Sequence, residues 1–238
     1  MKFKPIKMPL WLGPFHPKAI LPAAEKIAYT TIGILLAFWV NNCDESRKKL
    51  EIEQKTLKEI RAGLEQDRLD LQETIEGYGF RVTNVEDIFA YLSRDIVPGD
   101  SLSTAISSLN GYSFLLANTA AYETLKSRGL EIITNDSLRL GISTLYDVHY
   151  ESIQLTEKHL DVLYERLLMP YLVMNFRLGG NQFTDEEIEK IQKDRPFQQM
   201  LWQAMTNNAY ARDRYVVALK ELQALLSKIE IELNSGRF

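Results

Sequence analysis

Along most of the chain, apolar residues return every three or four positions, the spacing of an α-helix with one buried face. The clearest run is Leu50, Leu57, Leu64 and Leu71, seven residues apart, with Ile60 and Ile75 on the adjoining face. A seven-residue repeat drifts only about 20° per heptad on an α-helix, so these leucines make a single seam. Glu53, Lys55, Lys58, Glu59, Glu65, Asp67 and Arg68 occupy the remaining positions. Two arrangements satisfy such a seam: a coiled-coil stalk pairing with a second copy, or one amphipathic helix of an intramolecular bundle. Glu53 and Asp67 interrupt the position that would complete a two-residue coiled-coil core, which favours the bundle. Gly77 and Gly79 are expected to weaken or kink this helix. The pattern resumes at Val82, Val85, Ile88, Phe89 and Leu92, and Val97-Pro98-Gly99-Asp100 signals a turn.

The second half continues in the same period. Residues 101–117 are polar and mixed, and read as a short helix plus loop, with Asn110-Gly111 as a turn. A helix is expected from Thr119 to Arg128, stopped by Gly129. Thr134 or Asn135 caps a longer one whose apolar face is Leu138, Ile142, Leu145, Ile153, Leu160, Leu163 and Leu167, ending near Met169-Pro170. Gly179-Gly180 marks a loop. Thr184-Asp185-Glu186-Glu187 fits a capping box, in which the hydroxyl and the carboxylate satisfy free amides at a helix start. Pro196 suits the opening turn of the last helix, with Leu201, Met205, Tyr215, Leu219, Leu222, Leu226 and Ile229 on its buried side. Leu130–Thr134 is the one candidate strand and is too short to build a sheet.

One segment breaks the amphipathic pattern. Ile27 to Val40 is fourteen residues without a charge, about 21 Å of helix against a hydrocarbon core of about 30 Å. The apolar stretch Ala19–Ala24 extends it upstream, interrupted by Glu25 and Lys26; the lysine can snorkel to the headgroups. The expected anchor is therefore 20–43, with Ile27, Ile32, Gly33, Ile34, Leu35, Leu36, Phe38 and Trp39 facing lipid. Asn41-Asn42-Cys43-Asp44-Glu45 is no signal-peptidase site. The fold expected is all-α: a transmembrane helix continuing into a long amphipathic helix, then a helical bundle. The corresponding segments are a basic tail (1–19), the anchor (20–43), the amphipathic segment (44–97) and a bundle (98–238) packing with it.

Charge adds a direction. Residues 1–43 hold five lysines and one acid, leaving 23 basic and 31 acidic residues, a net of −8, on 44–238. An acidic body argues against nucleic acid as a partner, whereas the basic tail suits an anionic membrane face. Six basic residues between Asp44 and Ala62 nearly balance the tail by the positive-inside count. A five-lysine tail is awkward to translocate, so the N-terminus is expected inside and the body outside. Cys43 is the sole cysteine, which allows neither an internal disulfide nor a cysteine-based zinc site. Val40-Asn41-Asn42 before it does not suit lipoprotein processing.

Signatures of chemistry are absent: no phosphate-binding glycine loop, nucleophile elbow or metalloprotease helix. Asp147, His149, Glu151 and His159 share one helix, but only Asp147 and Glu151 share a face, so no metal is expected. Tyr210, Arg212, Arg214 and Tyr215 read as a solvated helix face. No cofactor and no enzymatic activity are expected.

Two stretches carry a resemblance. Ile32-Gly33-Ile34-Leu35-Leu36-Ala37 followed by Val40-Asn41-Asn42 and Asp44-Glu45, and Ala121-Tyr122-Glu123-Thr124-Leu125-Lys126-Ser127-Arg128-Gly129 with Ile133–Leu138 after it, resemble an uncharacterised family of bacterial membrane-anchored proteins of unknown function. Cys43 stands where that family usually has tryptophan, and Tyr29-Thr30-Thr31 where aliphatics are common. The resemblance implies a single N-terminal transmembrane helix with a helical body, in the bacterial inner membrane, and supplies no activity. A binding role for Tyr122, Glu123, Lys126 and Arg128 competes with a structural one, in which Tyr122 and Leu125 pack inward. The expected function is a membrane-anchored interaction, sensory or scaffold module, with lipid, a second copy or an envelope protein as partners. The alternative is a tethered small-ligand-binding bundle using aromatics such as Tyr112, Phe114 and Tyr122.

Overall fold

The computed structural model describes residues 17–94, 99–109, 113–176 and 182–238, with side chains described for Lys26 and from Tyr29 onward. The basic tail through residue 16, the side chains of 20–25 and of Ile27, the Val97-Pro98 step, Asn110 to Tyr112 and Gly179-Gly180 lie outside that description. Regular structure among the described residues is entirely helical: α1 (Pro17–Leu92), α2 (Gly99–Ser107), α3 (Ala120–Arg128), α4 (Asp136–Thr144), α5 (Glu151–Leu163), α6 (Met169–Asn175), α7 (Asp185–Lys193) and α8 (Arg195–Leu233). The chain divides into two compact units, Met1–Glu51 and Ile52–Phe238.

In the first unit, every described side chain from Tyr29 to Lys49 is exposed, including Ile32, Ile34, Leu35, Leu36, Phe38, Trp39 and Val40. At 100° per residue these seven spread over about two thirds of the helix circumference, with Gly33 and Ala37 in the remaining arc, which is wider than a single apolar stripe. The Thr30 hydroxyl donates to the Lys26 carbonyl at 2.6 Å, which satisfies it within its own helix. Beyond Asn42 the charges pair locally: Lys48 with Asp44 at 2.7 Å and Lys49 with Glu45 at 3.2 Å. Among the described residues no helix is long and apolar enough to cross a membrane. The expected span thus lacks support at full length: its uncharged part is fourteen residues, and Asn41 and Asn42 close it on the downstream side.

In the second unit the leucine seam turns inward. Leu57, Ile60, Leu64, Leu71, Tyr78, Val85 and Ile88 are buried in the unit's own core, while Leu50, in the first unit, is half-buried. Burying each of these aliphatic side chains contributes roughly 1.5–3 kcal/mol. Along α8 the buried positions are Phe197, Leu201, Ala204, Asn208, Ala211, Tyr215, Ala218, Leu222, Leu225, Leu226 and Ile229. This is a sustained alternation of four- and three-residue steps, the spacing of tightly packed helices. Three of these positions are alanine, which lets neighbouring helices approach closely; α4, α5 and the turn between them pack on α8. Met205 and Leu219, expected inside, are only partly buried.

Several expected boundaries shift for identifiable reasons. Gly77 and Gly79 do not break α1. The irregular run 113–119 lies along this helix, with Ser113 beside Tyr78 and Asn118 beside Asp67, and a Cβ on Gly63 would lie 3.1 Å from that of Asn118. One on Gly77 would lie 3.6 Å from the Ser113 hydroxyl. Leu130–Ile132 is a single 3₁₀ turn. The helix from Asp136 runs beyond Pro170 to Asn175, through π-helical turns at Leu145–Tyr150 and Tyr164–Leu168. Proline removes a backbone donor and clashes with the carbonyl four residues earlier, and the wider turn before it accommodates both. Gly129, at φ 110°, ends α3; Asn135 caps α4; Thr184 and Glu187 form the capping box of α7.

Candidate functional site

Two carboxylates occupy inner positions of α1, where the seam calls for hydrocarbon. Asp67 is wholly buried. Its Oδ1 accepts from the Asn118 backbone N–H at 2.9 Å and side-chain amide at 2.7 Å, and its Oδ2 from the Tyr150 hydroxyl at 2.8 Å. Both oxygens are engaged, as a buried carboxylate requires. Glu53, 1% exposed, accepts from the Thr134 N–H at 2.8 Å and pairs with Arg237 at 3.1 Å. Each acid fastens a connecting segment to α1: Asp67 the run 113–119, Glu53 the link between α3 and α4 at Thr134.

A row of tyrosines leads outward from Asp67. Tyr146 meets Tyr150 edge-on at 5.2 Å and stacks on Tyr122 at 4.4 Å, geometries that aromatic pairs favour. The Tyr122 hydroxyl donates to Asp147 Oδ2 at 2.5 Å, and Lys126 pairs with Oδ1 at 3.0 Å while lying 5.5 Å from the Tyr122 ring centre. Burial, reinforced by the neighbouring carboxylates, raises the hydroxyl pKa of Tyr122 and Tyr150. The Tyr122 hydrogen bond, then Lys126, holds the Asp147 carboxyl below its ordinary range, and Asp147 in turn raises Lys126.

A third carboxylate, Glu157, accepts from the Leu115 N–H at 2.7 Å and from the Tyr215 hydroxyl. Burial pushes its pKa upward despite both donors. Tyr78, whose ring lies 5.3 Å from that of Tyr215, donates to the Ser113 carbonyl at 2.7 Å.

Of the four residues of the α3 motif, the fold brings Tyr122 and Lys126 to one partner, Asp147, while Glu123 and Arg128 face solvent. Tyr122 is sealed between Tyr146 and the core, so a ligand could reach only the Lys126–Asp147 pair at the rim. Of the aromatics of the ligand-binding alternative, Phe114 lies exposed on the surface and Tyr122 is buried, while Tyr112 lies outside the described residues. Asp147 belongs to the tyrosine network, and among the described residues no three His, Cys, Asp or Glu side chains are placed to hold a metal ion. The network acids Asp67, Glu53 and Glu157 were invisible as a site in the sequence; the only sign was that two of them interrupt an otherwise apolar seam. Comparison with protein-family models, with curated proteins and with solved structures finds no match for this chain.

Proposed function

We propose that this protein is a membrane-anchored helical scaffold or interaction module, held in lipid by the helix around Tyr29–Val40 and acting through partners rather than through chemistry of its own. The observation that carries the reading is the all-round exposure of that helix. A protein groove covers one side of a helix; Ile34 and Phe38 point away from Leu36 and Val40, and only a surrounding apolar medium covers them all. Tyr29 and Trp39 lie near the two ends of the uncharged stretch, where aromatic side chains suit a headgroup region. Fourteen uncharged residues are shorter than a bilayer core, a mismatch relieved by local thinning and by snorkelling of flanking charges such as Lys26. The resemblance of 25–47 and 121–138 to single-anchor bacterial proteins supports the same reading. The resemblance also favours the inner membrane, and the five-lysine tail, awkward to translocate, favours an N-terminus in the cytoplasm with the acidic body across the bilayer.

Flotation with vesicles of phosphatidylethanolamine and phosphatidylglycerol tests the proposal. The full chain rises with the vesicles and stays bound in 1 M salt, whereas Leu35→Glu with Phe38→Glu leaves it at the bottom. A wild-type chain that is stripped by salt, or a double variant that floats equally well, overturns the reading.

A further inference from the structure

The outward face of α5, with the turn that leads into it, carries an apolar ridge open to solvent. Val148, Leu155 and Val162 recur at seven-residue intervals and are 56%, 52% and 44% exposed. Leu155 and Val162 stand on one regular helix, and Val148 precedes them in the π-helical turn Leu145–Tyr150. A seven-residue step drifts only about 20° on an α-helix, so the three make one ridge about 21 Å long. The opposite side of α5 is already buried, through Ile153, Thr156, Leu160 and Leu163. The ridge is therefore a second apolar line on a helix whose core face is filled.

Charge says what fits there. Glu151 and Lys158, both exposed, stand three residues after Val148 and Leu155 and line one edge of the ridge. Among the described residues neither closes an ion pair within the chain. Residues 44–238 carry a net charge of −8, so two bodies repel at a distance. The exposed residues from Val148 to Val162 are Glu151, Gln154, Lys158 and His159 beside the three apolar ones, and with the histidine neutral their charges cancel. Two copies of the ridge laid antiparallel about Leu155 set Val148 against Val162 of the second copy, and Leu155 against its counterpart. A two-fold axis brings the same edge of each helix together, so Glu151 lies beside Lys158 of the second copy, within one residue's rise. A parallel pair in register sets Glu151 on Glu151 and Lys158 on Lys158. Sliding the antiparallel pair by seven residues in either direction brings Lys158 beside Lys158 or Glu151 beside Glu151. One arrangement alone matches both the apolar residues and the charges.

We propose that a second copy of this chain covers the ridge, through an antiparallel two-fold contact of α5 on α5 centred on Leu155. The contact uses the same surface on both chains and so closes at a dimer. One helix wide and about 21 Å long, it falls below the roughly 1,200 Å² of stable interfaces, so the dimer is weak, with a Kd on the order of 10 µM. The inference names a partner for the interaction module proposed above and rests on that reading for its purpose. It does not rest on the anchor, since the ridge lies wholly within Ile52–Phe238.

The test is sedimentation equilibrium of the full chain in an uncharged, density-matched detergent, from about 1 to about 200 µM. A monomer–dimer equilibrium is expected, and Leu155→Glu leaves the chain monomeric throughout. Glu151→Lys and Lys158→Glu each set like charges together at two places and raise Kd at least about tenfold. Glu151→Lys also makes the body less acidic, so general repulsion alone would give the opposite result. The double variant Glu151→Lys, Lys158→Glu exchanges the partners and returns Kd to within about threefold of wild type. That recovery separates paired charges from damage to the fold. Val217→Glu, at an exposed position of α8, leaves Kd within about threefold. A wild-type chain that stays monomeric, a dimer that survives Leu155→Glu, or a double variant no better than the single ones would each overturn the proposal. Flotation of Leu155→Glu with vesicles, expected to equal that of wild type, keeps each of these outcomes apart from failure of the anchor.

Discussion

At the scale of single residues, the fold depends on acids placed where hydrocarbon was expected. Asp67→Ala removes the acceptor of three donors at once and leaves two amide groups of Asn118 and the Tyr150 hydroxyl without partners. Tyr150 is buried, whereas Asn118 is exposed and its amides can turn to water. At about 1–3 kcal/mol for a buried unsatisfied group, we expect a loss in that range in urea unfolding, and a loss under about 1 kcal/mol would mean that water replaces the carboxylate. Two other acids give pH dependences of opposite sign. Glu157 has a raised pKa in the fold, so its contribution to stability is full below the ordinary carboxyl pKa and is lost as pH rises through the raised value. Asp147 has a lowered pKa, so its contribution is full above the ordinary value and is lost as pH falls through the lowered one. The stability of wild type relative to Glu157→Gln should therefore decline with rising pH across the carboxyl range, and relative to Asp147→Asn it should increase. Parallel slopes would contradict the two environments described. None of these roles was readable in advance, because an acid in a helical repeat looks the same whether it faces water or a loop folded over it.

At the scale of elements, the helices were legible where one residue type dominates a face or an end. The α1 leucines, the Thr184–Glu187 capping box and the Gly129 stop are local signals, and they appear where periodicity and capping chemistry put them. The inner face of α8 was read only in part, because Ala204, Ala211 and Ala218 count little in a hydrophobic pattern yet set how closely helices pack. The passage through Pro170 was misread, since a π-helical turn has no simple sequence signature. The glycines of α1 separate two cases that the sequence treats alike. A Cβ on Gly79 would have nothing within 4 Å, whereas one on Gly63 meets Asn118 at 3.1 Å. Gly79→Ala should stabilise the protein by up to about 1 kcal/mol through helix propensity. Gly63→Val should destabilise it by about 1–3 kcal/mol through overpacking. Thermal unfolding of the two variants checks this; a gain at both positions would show that the run 113–119 does not press on α1.

At the scale of the whole molecule, the two units present opposite surfaces. Ile52–Phe238 buries its seam and satisfies its inner acids, whereas the helix through Tyr29–Val40 leaves large apolar side chains exposed around most of its circumference. Trp39 alone is 65% exposed. Contiguous apolar surface of that kind needs a covering medium, which under the proposed function is lipid. The most direct measurement is alkaline carbonate extraction of membranes from bacterial cells producing the full chain, beside the Leu35→Glu, Phe38→Glu double variant. The account predicts that the wild-type chain stays in the washed membrane pellet while the variant is released. Release of the wild-type chain into the carbonate supernatant would contradict it.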